Sequence, residues 1–175
     1  ISGLPQITRS HEGHMENWYA VSRMLCDKLH IRFNDSNIIV AHMGGGTTMG
    51  LYINGKIRDV IGDTEGAFGP ERSGGLPIAP YLELAMSGQY SKDELRTLMR
   101  GNGGLFAYLG TFDARKVIKM IESGDQKAET VFKAMALQEA KAIAALSATA
   151  CGRIDGIALS GGLANSKLFV SWIKE

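Results

Sequence analysis

The stretch Ile38-Ile39-Val40-Ala41-His42-Met43-Gly44-Gly45-Gly46-Thr47-Thr48-Met49-Gly50-Leu51-Tyr52-Ile53 reads as strand, glycine turn, strand. Asn54-Gly55, a strong two-residue hairpin signal, follows it, and a third strand-like run reaches Ile61. Glycine has no Cβ, so a ligand can come close to the main chain and the N–H groups can turn toward an anion. A hairpin needs only one or two residues at positive φ. Gly44, Gly45 and Gly46 together exceed that need, and Thr47 and Thr48 stand beside them. The surplus points to a phosphate; the alternative is a tight turn with no ligand. The loop carries no lysine and returns as an antiparallel strand, so it is not the strand-to-helix P-loop.

Outward from this unit the pattern becomes helical. In residues 16–29, Trp18, Val21, Leu25 and Leu29 share a face. Tyr81 to Met86 reads as a short helix closed by Gly88. Ser91 and Glu94 form a capping-box pattern that opens a helix to about Arg100. A further helix is expected from Asp113 to Glu122, with Gly124 at its end. The longest is expected over residues 126–150, where Phe132, Met135, Ala136, Glu139, Ile143 and Leu146 lie close to one stripe. Burial is the favoured reading of that stripe, and an association surface is the other. Asp155 to Ser160 reads as a strand, and Asn165 to Ile173 as a closing helix. Antiparallel strands early and helix–strand–helix late predict one α/β layered domain, a mixed sheet with antiparallel hairpin strands flanked by helices.

Composition narrows the function. The net charge is +1, with Lys+Arg 19 against Asp+Glu 18, which gives no electrostatic case for nucleic acid or a membrane surface. No apolar run has the length of a membrane span, and no secretory signal is visible. Cys26 and Cys151 are too few for a disulfide framework or zinc site, and a reducing cytoplasm fits. Of the 22 glycines, ten cluster at 44–46, 74–75, 101–104 and 161–162, between periodic segments. That placement suggests close backbone–ligand approaches. The chain opens at Ile1 without methionine and closes at Lys174-Glu175 inside a helical pattern, so it is expected to be a piece of a longer protein.

Several side chains are candidates for chemistry. Arg72 sits in the turn-rich Pro70-Glu71-Arg72-Ser73-Gly74-Gly75. Its planar fork could clamp a transferring phosphoryl group, or it could simply pair with Glu65 or Glu71. His42 closes a strand just before the glycine loop, and His14 precedes a helix; each is weighed against a structural role. Ser160-Gly161-Gly162-Leu163-Ala164-Asn165 joins a strand to a helix, a junction suited to an anion or a closely stacked base. A Rossmann reading would need a longer glycine fingerprint and a later acid.

Taken together, these segments resemble the acetate and butyrate kinase family, within the sugar kinase, heat-shock and actin superfamily. Ala41-His42-Met43-Gly44-Gly45-Gly46 resembles that family's second phosphate loop, and Glu71-Arg72-Ser73-Gly74-Gly75-Leu76-Pro77 its catalytic-arginine segment. Asp113-Ala114-Arg115 and Ser160-Gly161-Gly162 resemble its adenosine-binding pieces. The Pro-Glu-Arg-Ser-Gly-Gly form and Tyr108-Leu109-Gly110-Thr111 are similar to the butyrate branch. His14 lies where that branch carries a transition-state histidine within Phe-His-Ala-Leu-Asn. This chain has Gly13-His14-Met15-Glu16-Asn17, which keeps the histidine and the asparagine.

The resemblance implies a ribonuclease-H-like, actin-like ATPase fold. It implies reversible ATP-dependent phosphorylation of a short-chain carboxylate, butyrate or a branched acid, to an acyl phosphate by in-line transfer. Arg72 and His14 would stabilise the transferring group, and Mg²⁺ would bridge the phosphates. His42, Gly44, Gly45, Gly46 and Thr47 would lie at the β- and γ-phosphates of ATP or ADP. Asp113, Arg115, Gly161, Gly162 and Asn165 would lie around the adenosine. A first phosphate hairpin, a second arginine and a catalytic carboxylate are implied before Ile1, and a metal-linked glutamate after Glu175; no metal ligand is expected within the chain. Residues 1–175 would then be a nucleotide-binding C-terminal domain, trimmed at both ends, inactive alone, cytoplasmic and homo-oligomeric in its parent. The competing expectations are an actin-like nucleotide-binding module without chemistry, an acetate kinase and, third, a sugar kinase. Acids differing by a methylene differ by only about 1–3 kcal/mol in a hydrophobic pocket, so the sequence leaves the acid open.

Overall fold

The computed structural model describes residues 1–9 and 13–175. Helix α1 (Met15–Leu29) is followed by a 3-10 turn and three strands, β1 (Asn37–Met43), β2 (Thr47–Ile53) and β3 (Lys56–Ile61). Helices α2 (Ile78–Met86), α3 (Lys92–Met99), α4 (Gly104–Leu109), α5 (Ala114–Glu122) and α6 (Gln126–Thr149) come next. Strand β4 (Gly156–Ser160), a 3-10 turn (Gly162–Asn165) and helix α7 (Lys167–Lys174) close the chain.

The sheet has the order β3-β2-β1-β4. β1 runs antiparallel to β2 and parallel to β4, and β2 runs antiparallel to β3, so the expected mixed sheet is found. β1 is apolar at consecutive positions because helices cover both its faces. Ile39, Ala41 and Met43, with Met49 and Leu51 of β2, face a core that α6 completes through Phe132, Met135 and Leu146. Ile38 and Val40, with Tyr52 and Val60, face Trp18 and Cys26 of α1. The α6 stripe read from the sequence is thus interior.

Gly50 explains how α1 lies so close. A Cβ there would stand 2.7 Å from the Trp18 indole, so the missing side chain lets the ring lie on the sheet. The polar end of the sheet is where β1 and β4 finish side by side, His42 opposite Ser160. The glycine loop and the turn after β4 leave from that end.

Three elements differ from expectation. α2 begins at Ile78, before the expected Tyr81, because Pro80 falls in the first turn, where a missing N–H removes no helix bond. α4 was not expected at all: it is six residues long and starts with Gly104 at φ 58. The last helix begins after Ser166, whose side chain accepts from the Phe169 N–H, and Asn165 belongs to the preceding 3-10 turn.

Candidate functional site

The glycine loop closes on the pair Met43 and Thr47. Inside it, the Gly44 N–H donates to the Gly46 carbonyl at 3.0 Å. From outside, the Glu71 N–H donates to the Gly45 carbonyl at 3.0 Å, so the arginine segment is laced onto the loop. Gly69 fits beneath, where a Cβ would stand 2.9 Å from the Gly45 carbonyl oxygen. The Leu105 and Phe106 N–H groups at the start of α4 in turn donate to the carbonyls of Gly69 and Pro70, at 3.1 and 3.0 Å. Gly104 is required there, since a Cβ would collide with the Gly69 carbonyl.

One side of the loop opens into a cleft of about 720 Å³. Gly44, Gly45 and Glu71 line one wall, Asp113, Ala114 and Arg115 a second, and Gly162, Asn165 and Ser166 a third. Six of the sequence-predicted residues, Gly44, Gly45, Asp113, Arg115, Gly162 and Asn165, therefore meet in one cavity. Asp113 caps α5 by accepting from the Arg115 N–H, and also accepts from Arg115 Nε at 3.0 Å and Nη2 at 2.9 Å. These bonds pull its carboxyl down to about 2, the guanidinium bond first. Gly162 has open space where a Cβ would go, which is room for a flat ring against the backbone. The cleft and its glycine walls fit a nucleotide.

Gly161 does something else. It does not line the cleft; at φ +84, a Cβ on it would stand 2.4 Å from the Met43 carbonyl oxygen. It lets the turn after β4 press against the end of β1 and so brings Gly162 beside the glycine loop.

On the α1 side of the same sheet end lies a polar cluster. His14 Nδ1 shares a hydrogen bond of 2.9 Å with Thr48 Oγ1, and its ring stacks on His42. His42 Nδ1 lies 3.0 Å from Asn17 Oδ1 and 3.1 Å from Ser160 Oγ, and the Ser160 hydroxyl donates to the same Asn17 oxygen at 2.8 Å. Asn17 Oδ1 only accepts, so His42 Nδ1 carries the proton and Nε2 is left facing the loop. A Cβ on Gly44 would stand 3.6 Å from that Nε2. Burial, and secondarily the neighbouring His14, push the His42 pKa down, which favours the neutral ring.

Arg72 crosses Gly46, where a Cβ would stand 2.7 Å from Arg72 Cγ. Arg72 Nη1 donates to Glu71 Oε1 at 2.9 Å, one of the two pairings open from sequence. The other, Glu65, is taken by Arg9. Arg72 Nε faces Asp63 Oδ2 at 3.4 Å without hydrogen-bond alignment, and Asp63 Oδ1 accepts from Arg100 Nη2 at 2.8 Å. Arg72 and His14 thus stand outside the cleft, Arg72 against the loop at Gly46 and His14 stacked on His42. Thr47 is also outside it: its hydroxyl points into the core and donates to Glu139.

Asn17, Asp63, Glu71, Glu139 and Ser160 are polar residues around the loop that stand outside the sequence-predicted set, and Thr48, read beside the glycines, bonds His14. Ser160 and Asn17 stood inside recognised motifs, and Glu139 was the one carboxylate in an apolar stripe. Asp63 had no local pattern. Among the described residues no group of three or more His, Cys, Asp and Glu side chains stands together to hold a metal, and no residue is assigned as a magnesium ligand.

The fold is a mixed α/β domain of the actin-like kind. A Streptococcus pneumoniae protein of the ROK family, solved with sucrose, shares that fold at TM-score 0.52 and 14% identity, over 90% of this chain and 50% of its own. The chain itself belongs to the acetokinase family, which it matches over residues 7–172. Acetate kinase from Entamoeba histolytica is similar at TM-score 0.82 and 22% identity, covering 98% of this chain and 47% of that one. A propionate kinase from Francisella tularensis is similar at TM-score 0.80 and 21% identity, covering 96% and 48%. The chain therefore spans about half the length of these structures.

Proposed function

We propose that this chain is the nucleotide-binding, C-terminal domain of a kinase that moves a phosphoryl group between ATP and a short-chain carboxylate. The observation that carries the reading is the single loop 44–46 lining the cleft on one side and meeting Arg72 at Gly46 and His42 at Gly44, with His14 stacked on His42. Family membership supports the same chemistry.

In this reading the cleft holds adenosine between Gly162 and the start of α5, and the loop N–H groups meet the phosphates. Bound ATP supplies the phosphoryl group, with Mg²⁺ travelling on its phosphates and neutralising them. Transfer between two anions requires alignment and charge neutralisation more than a covalent helper. Arg72, at the loop's far edge, supplies a fixed cation, and His14 supplies a hydrogen-bond donor, while the neutral His42 presents its acceptor Nε2 to the loop and supports the His14 ring by stacking. Asn17 and Ser160 hold the His42 ring in one tautomer. Asp63 and Glu71 hold Arg72 until an anion competes for its fork.

Butyrate or a branched acid is the proposed substrate, on the strength of Pro70-Glu71-Arg72-Ser73-Gly74-Gly75 and Tyr108-Leu109-Gly110-Thr111. Acetate is the second reading, since family membership alone is shared with acetate kinases. A cytoplasmic location is proposed on two unpaired cysteines, Cys26 and Cys151. Self-association of the parent protein is proposed on family membership.

The test is acyl phosphate trapping by hydroxylamine, using the full-length parent with ATP, Mg²⁺ and acetate, propionate, butyrate or isobutyrate in turn. Highest kcat/KM with the four-carbon acids supports the butyrate branch. Highest kcat/KM with acetate moves the assignment to acetate kinase. No product with any acid, with ADP still bound, supports a nucleotide-binding module without chemistry.

A further inference from the structure

Glu139 lies in the middle of α6 and is 0% exposed. Its stripe neighbours Met135, Ala136, Ile143 and Leu146 are all apolar and buried. Its Oε1 accepts from the Thr47 hydroxyl at 2.5 Å, and its buried Oε2 has no hydrogen-bond partner. Burying a carboxyl with half its hydrogen-bonding capacity unused costs free energy, and an aliphatic side chain would fill the space without that cost. Departures of this kind concentrate where function needs them.

The position of the contact says what it does. Thr47 is the first residue after the three glycines, and it closes the hairpin opposite Met43. The glycines have no side chains to hold their own φ and ψ, so the loop must be fixed from its edges. The Glu71 N–H holds one edge at the Gly45 carbonyl. Glu139 holds the other, from inside the core.

We propose that Glu139 is a positioning residue that sets the shape of the glycine loop through the Thr47 hydroxyl. This deepens the nucleotide reading of the loop and rests on it. A loop whose N–H groups are already aimed loses less order on meeting phosphate, and so binds it more tightly.

The test compares wild type, Glu139→Gln, Glu139→Leu and the double variant Thr47→Val with Glu139→Val. Three quantities are read: ADP affinity by calorimetry, amide exchange at Gly44 and Glu71, and melting temperature. The double variant replaces both partners by apolar groups and should melt no lower than wild type. It should nevertheless bind ADP about 10-fold more weakly, which is about 1.4 kcal/mol, and exchange the Gly44 amide about 10-fold faster. Glu139→Leu carries the same expectation for affinity and exchange. Glu139→Gln keeps an acceptor for Thr47 and should stay within about 2-fold of wild type in both. Wild-type affinity and exchange in the double variant would overturn the proposal, as would a Gln variant as impaired as the Leu one. If wild type itself binds no ADP, the nucleotide reading fails, and the exchange rates alone still decide whether Glu139 holds the loop.

Discussion

The ring of His14 stacks on the ring of His42 with centroids 4.2 Å apart and planes 30° apart. One comes from the start of α1 and the other from the end of β1, so the contact joins helix and sheet where the glycine loop departs. Two imidazoles at this distance resist carrying charge together, and the low His42 pKa reflects His14 as its second cause after burial. Replacing His14 by Ala should therefore raise the His42 pKa, measured by the pH titration of its ring signals in NMR. An unchanged or lower value would show that the pair is not coupled.

The sign for stability follows from the same shift. The unfolded chain takes up a proton near the usual histidine value of 6.5, while folded His42 stays neutral to lower pH. Stability should fall as pH drops below that value. In His42→Asn this part of the dependence should disappear, as read by urea denaturation across pH 5 to about 7.5. A slope identical to wild type would assign it to other groups.

Glu139 has the opposite sign. Desolvation pushes its carboxyl from 4.5 up to about 8, against the Thr47 hydrogen bond that lowers it. Between those values the unfolded chain releases a proton that the folded chain keeps, so stability falls as pH rises through the window. Glu139→Gln should flatten that slope and melt higher than wild type at pH 8. A Gln variant with the wild-type slope would contradict the assignment.

Two adjacent glycines separate fold from ligand. Gly161→Ala places a Cβ 2.4 Å from the Met43 carbonyl at φ +84, and should cost about 1–3 kcal/mol of stability or more. Gly162→Ala meets nothing within 4 Å, so its stability should stay within about 0.5 kcal/mol of wild type. It intrudes into the cleft, however, and should weaken ADP binding about 10-fold. Equal affinity in Gly162→Ala and wild type would remove the nucleotide from this wall.

What the sequence made legible follows the range of the forces involved. The hairpin was readable because glycine and Asn54-Gly55 punctuate it and because β1 is apolar on both faces. The capping box at Ser91 and Glu94 was readable because it is local, and both of its hydrogen bonds are present. α4 was hidden because it is short and held by carbonyls of residues 69 and 70, more than thirty positions away from Gly104. Asp63 was hidden for the same reason: its partners are Arg72 and Arg100, and no spacing announces such a bridge. Glu139 was visible as a residue but was read as one member of an apolar stripe, since only the fold brings Thr47 to it.

Arg72 is the residue on which the catalytic reading turns. It lies against Gly46, held by Glu71 and facing Asp63, outside the cleft that would take adenosine. The most direct measurement is ATP-dependent acyl phosphate formation by the full-length protein, wild type against Arg72→Ala, with ADP affinity taken on the same samples. The account predicts that kcat falls about 100-fold or more while ADP affinity stays within about 3-fold, because the arginine acts in the transition state. A variant that keeps its kcat, or that loses ADP affinity in proportion to its rate, would contradict it.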